Sequence, residues 1–139
     1  MADPKKLARI HRVRTLQLNL KHADEARARE KFASEATLAQ RIGALADAVS
    51  PTPENALGAS LGAAAHFRER LHQSAAAAQN RVLNAEVFVS RAAEATRAAK
   101  RDQTAVEKLI DRARAQIALK DMRKLEEAPP ARSKRHDPC

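Results

Sequence analysis

Residues 57–124 read LGASLGAAAHFRERLHQSAAAAQNRVLNAEVFVSRAAEATRAAKRDQTAVEKLIDRARAQIALKDMRK, and the spacing of apolar residues within them decides the fold. Alternating steps of four and three residues meet Leu57, Leu61, Ala64, Arg68, Leu71, Ala75, Ala78, Val82, Ala85, Val89, Ala92, Thr96, Ala99, Gln103, Val106, Ile110, Ala113, Ile117, Lys120 and Lys124. Fifteen of these twenty positions are apolar. The period is 3.5 residues, that of a coiled-coil seam, so the stretch predicts one long helix whose apolar stripe is buried against another helix. Such a stretch describes a rod and its partners, not a pocket.

Composition agrees. The chain has 139 residues, 2% aromatic residues, no Trp or Tyr and 3 Gly, too few large side chains for a globule with a thick core. Abundant Ala, Leu, Arg, Lys and Glu lower the cost of a helix at nearly every position. Mean hydropathy is −0.55. Apolar runs such as 61–65 and 75–78 fall far short of the roughly 20 residues a membrane span needs, and no apolar segment follows the basic N-terminus. A soluble, unexported protein is the expectation. Cys139 is the only cysteine and has no intramolecular partner, so it reads as an inert tail thiol.

Asp3-Pro4 is a helix start, with an N-cap side chain followed by proline where a missing N–H costs nothing. Leu7, Ile10, Val13, Leu16 and Leu20 then fall on one face, and Leu38, Ile42, Leu45 and Val49 form a second run. The runs are out of phase, so a four-residue stutter is expected between them, with a locally unwound helix at residues 24–35 and Phe32 off to one side. Pro51 and Pro53 end this first arm at a turn around residues 50–53, after which Thr52 and Pro53 can start the second. A short connection places the two helices antiparallel. The expected fold is all-α: a two-helix antiparallel coiled-coil hairpin over residues 1–128, with arms at about 4–49 and 53–127 and a disordered basic tail at 129–139. Equal distances from the turn set Ile10 near residues 92–96. Residues 99–127, with Val106, Ile110 and Ile117, would then have no partner within the chain.

Charge follows the same geometry. Residues 1–23 hold six basic and one acidic side chain, residues 24–95 are near balance, and residues 96–139 hold twelve basic and seven acidic, within a net charge of +9. Both excesses belong to the open end of the hairpin, away from the turn, which marks that end as a partner site. Catalytic constellations are absent from the pattern. His11 and His22 share a face but stand about 16 Å apart along a helix, too far to share a metal. His136 and Cys139 lack further preorganised ligands, and no phosphate loop, nucleophile elbow or Cys pair occurs. No enzyme, cofactor or metal is expected.

A basic first helix (KKLARIHRVRTLQLN, residues 5–19), one break near residue 50, a longer Ala- and Gln-rich second helix and a closing run EKLIDRARAQIALKDMRKLEE (residues 107–127) together resemble the FliJ family of flagellar type III export proteins and its YscO-type virulence relatives. The resemblance implies an antiparallel two-helix stalk, similar to the rotor stalk of F-type ATPases. It implies that the open end enters the ring of the export ATPase, that the stalk links this ring to the export gate protein, and that it handles export chaperones. It also implies a cytoplasmic protein, peripherally attached to the inner-membrane export apparatus. The matching cations are Arg9, Arg12 and Arg14 on the first arm and Lys108, Arg112, Arg114, Lys120, Arg123 and Lys124 on the second, with Ile110 and Ile117 as apolar contacts. Three other readings stay open. A sequence pI near 10.4 suits phosphate binding, although stacking aromatics are scarce; the Arg-rich first helix could lie on a membrane; and an unpaired seam could pair with itself in a homodimeric scaffold.

Overall fold

The computed structural model describes residues 3–49 and 58–130, which form two helices, α1 (Pro4–Ala48) and α2 (Gly58–Glu127). Among the described residues there is no strand, and α1 packs along the middle portion of the longer α2. The carboxylate of Asp3 caps α1 by accepting the Lys5 N–H at 3.0 Å, with Pro4 next in the chain. The expected turn at residues 50–53 and residues 131–139 of the expected tail lie outside the described residues.

Cross-helix bonds define direction and register. His11 meets Glu107, Arg14 meets Asp102, Thr15 meets Gln103, the Lys21 carbonyl meets Thr96, and Glu35 meets Arg81. Each step forward along α1 is matched by a step back along α2, so the helices are antiparallel. Continuing that register sets Pro4 beside Ala113 and the end of α1 near Glu69. The level of Ile10 is therefore close to Glu107 rather than residues 92–96. The equal-arm assumption misplaced it, because α2 begins at Gly58 and its first turns run past the end of α1.

Burial on α2 repeats the period read from sequence. Ala64, Arg68, Leu71, Ala75, Ala78, Val82, Ala85, Val89, Ala92, Thr96, Ala99, Gln103, Val106, Ile110 and Ala113 are all buried or half-buried. Val106 retains only 8% of its exposure. The stripe of α2 thus leaves the cover of α1 near residue 114, not 99, and residues 114–130 are all exposed. This exposed segment extends α2 by roughly 20 Å beyond α1.

On α1 the stripe differs from the expected one. Leu7, His11, Arg14, Leu18, Glu25, Ala28, Phe32, Glu35, Ala39, Ile42, Ala46 and Val49 face inward, and Lys21 fills the missing step with its backbone carbonyl. This is one unbroken four-three repeat, without a stutter, through a helix continuous from Pro4 to Ala48. Phe32 is part of the seam. Ile10, Val13, Leu16, Leu20, Leu38 and Leu45 are exposed instead. The physical reason lies in α2: a partner that stays on a strictly 3.5-periodic stripe for 45 residues must keep that period itself, even where local positions are polar.

Two tests follow from this packing. With Cys139 replaced by Ser, Cys residues introduced at Leu18 and Ala99 should form an intramolecular disulfide under mild oxidation, whereas a Leu18–Ala85 pair should not; the reverse result would restore the equal-arm register. Gly43 lies inside α1, and a Cβ added there meets nothing within 4 Å. Gly43→Ala should therefore raise stability by about 0.5–1 kcal/mol, read as a higher Tm by circular dichroism.

Candidate partner-binding site

At the open end the first turns of α1 and residues 107–117 of α2 enclose a groove of about 630 Å³. Its apolar lining comes from Leu7, Leu16, Ile110, Ala113 and Ile117, and its charged rim from Arg12, Arg114, Glu107, Asp111 and His11. The antiparallel register explains the composition. Leu7 is the last buried apolar residue that α1 offers, so the stripe of α2 emerges from cover there, passing from half-buried Ile110 to exposed Ile117.

Polar groups stiffen the approach to this groove. The His11 Nε2 and Glu107 Oε1 atoms lie 3.2 Å apart, and Arg14 donates to Asp102 at 3.1 Å. One level deeper, the Gln103 amide donates to the Thr15 hydroxyl at 3.1 Å, which in turn donates to the His11 carbonyl at 2.9 Å. Gln103 and Thr96 are the buried polar residues of the interface, and both find partners on α1.

Of the residues expected from sequence, Arg12, Ile110, Arg114 and Ile117 meet in this groove. Arg14 is half-buried by its bond to Asp102, and Arg9 lies on the opposite flank of α1 with Lys6, Ile10, Val13 and Gln17. Lys108 and Arg112 are exposed on α2 and do not line the groove. Lys120, Arg123 and Lys124 occupy the single-helix extension, where Lys124 approaches Asp121 to 3.7 Å. His11, Glu107, Asp111 and Leu7 line the groove without having been singled out for it. Their pairing depends on register, and register was the quantity that spacing within each helix could not supply.

The arrangement suits an elongated ligand with apolar side chains and mixed charge. Among the described residues no group of three His, Cys, Asp or Glu side chains converges on a point that could hold a metal, and no helix is long and apolar enough to cross a membrane. No protein-family model, curated protein or solved structure matches this chain.

Two serine substitutions separate core from site. Ile110→Ser removes a half-buried contact and should destabilise the protein by about 1–3 kcal/mol. Ile117→Ser acts at a residue 42% exposed and should change stability by no more than about 0.5 kcal/mol. Thermal unfolding of the two variants checks the order; equal losses would mean that the extension of α2 is packed in solution.

Proposed function

We propose that this chain is a non-enzymatic, FliJ-like coiled-coil stalk of a flagellar or type III protein export apparatus. Its open end docks in the ring of the export ATPase, and the rod connects that ring to the export gate protein and to export chaperones. The protein acts in the cytoplasm, held at the inner-membrane export apparatus through protein partners.

The observation that carries this reading is the extension of α2 past α1 at the end where basic residues collect. A stalk entering a ring needs a slender tip and a charged surface. Residues 114–127 supply the tip, with Arg114, Lys120, Arg123 and Lys124 against Asp121, Glu126 and Glu127, and the basic excess lies mainly in residues 5–21 and 97–114 behind it. Behind the tip, the groove with Arg12, Ile110 and Ile117 provides apolar contact, while Arg9, Arg14, Lys108 and Arg112 widen the basic surface. Long-range attraction between such a surface and an acidic ring speeds and orients docking more than it deepens affinity.

The net charge of +9 favours one competitor, a protein that binds nucleic acid through phosphates. A single experiment separates the two. Arg112 and Arg114 are exposed, so an Arg112→Glu/Arg114→Glu variant should keep its helicity while losing at least tenfold in affinity for the export ATPase in a pull-down or titration at low salt. Undiminished ATPase binding by that variant, or tight and steeply salt-dependent binding of the parent chain to bulk DNA with none to the ATPase, would overturn the stalk.

A further inference from the structure

The flank of α1 that turns away from α2 carries an apolar stripe of its own. Ile10, Val13 and Leu20 are 45%, 52% and 64% exposed, and with Lys6 and Gln17 they continue the four-three spacing used by the seam. Lys6, Arg9, Ile10, Val13, Arg14 and Gln17 line a shallow depression of about 600 Å³ on this flank. We propose that this surface docks an acidic amphipathic helix of another protein, which lies along α1 as a third helix. The proposal rests on the burial pattern of α1 and not on the export reading.

Spacing identifies the occupant as a helix. Residues 10, 13, 17 and 20 form a narrow row of period 3.5, which matches the knobs of a facing helix. A membrane-bound helix needs a broader apolar face; exposed Leu16 widens the stripe on one side, but Lys6, Arg9 and Gln17 interrupt it. Charge identifies its sign. No acidic residue occurs between Asp3 and Asp24, a stretch that holds Lys5, Lys6, Arg9, Arg12, Arg14 and Lys21. Arg14 is engaged by Asp102, whereas Lys6 and Arg9 border the stripe without an ion pair among the described residues. A second copy of this chain cannot complement that surface well, because no contiguous stretch of the sequence has more than two acidic residues in excess of basic ones. The partner is therefore a different protein, whose helix presents Leu- or Ile-type residues on one face and carboxylates along its edges.

The test titrates the full chain into a labelled synthetic helix of about six turns, with Leu at four-three spacing and Glu and Ala elsewhere, read by fluorescence anisotropy. Saturable binding that weakens as salt rises is expected. Ile10→Asp/Val13→Asp should lower the affinity at least tenfold, and Lys6→Glu/Arg9→Glu should do the same, with far-UV circular dichroism unchanged because these side chains are exposed. Equal binding by the Ile10→Asp/Val13→Asp variant would overturn the proposal. Loss of the peptide in Arg112→Glu/Arg114→Glu but not in Ile10→Asp/Val13→Asp would move the site to the open end of the rod. If sedimentation shows a dimer that the Ile10→Asp/Val13→Asp variant dissolves, the occupant is a second copy. If vesicles of phosphatidylserine and phosphatidylcholine, and not the peptide, compete for the same residues, it is a lipid surface.

Discussion

The whole molecule depends on the close approach of α1 to a stripe of α2 in which alanine recurs. Ala78 and Ala85 are almost fully enclosed, and Ala64, Ala75, Ala92, Ala99 and Ala113 repeat the theme at neighbouring steps. Small side chains let the helices come near enough for backbone and side-chain polar groups to reach across. The Thr96 hydroxyl touching the Lys21 carbonyl at 3.2 Å is the direct sign of that proximity. A wider, Leu-filled seam would bury more apolar surface but would hold those groups apart. The interface thus exchanges some hydrophobic burial for a series of specific polar contacts.

This exchange explains what the sequence did and did not disclose. The stripe of α2 was legible residue by residue from Ala64 to Ala113, because it keeps one period with only Arg68, Thr96 and Gln103 as polar steps. The stripe of α1 was not. Ile10, Val13, Leu16 and Leu20 form a stronger local signal than His11, Arg14 and Leu18, yet the latter group faces α2, joined by the Lys21 backbone carbonyl. Periodicity alone ranks faces by hydropathy, and it fails where an inward face is polar because His11, Arg14 and Glu35 find partners on α2 while Glu25 is paired by Arg29 of its own helix.

Register was illegible for a related reason. Within each helix the spacing repeats every seven residues, so sequence permits several alignments that differ by whole heptads, and only the length of the connection chooses among them. Treating the arms as equal about Pro51 and Pro53 displaced the pairing of Ile10 by more than one heptad. The candidate site at the open end was nevertheless found in part. Arg12, Ile110, Arg114 and Ile117 all reach the groove, because the charge excess and the exit of the α2 stripe fall at the same end of the rod in either alignment. The groove's depth was not foreseen, since Leu7 and His11 close it only in the true register.

The spacing of the cross-helix bonds has a mechanical consequence. A shear of one heptad would slide the helices by roughly 10.5 Å and restore the four-three fit of the stripes, so shape alone would not resist it. The polar contacts do. In one direction Glu107 would leave His11 and face Leu18; in the other, Asp102 would leave Arg14 for Leu7, and Gln103 would leave Thr15 for Ala8. Either slip breaks these pairs, at up to about 1 kcal/mol for each of the half-exposed His11–Glu107 and Arg14–Asp102 pairs and about 1–3 kcal/mol where buried Gln103 is left facing Ala8. The two helices therefore carry an axial push or a twist as one beam, and compliance is left to the single-helix end beyond Ala113.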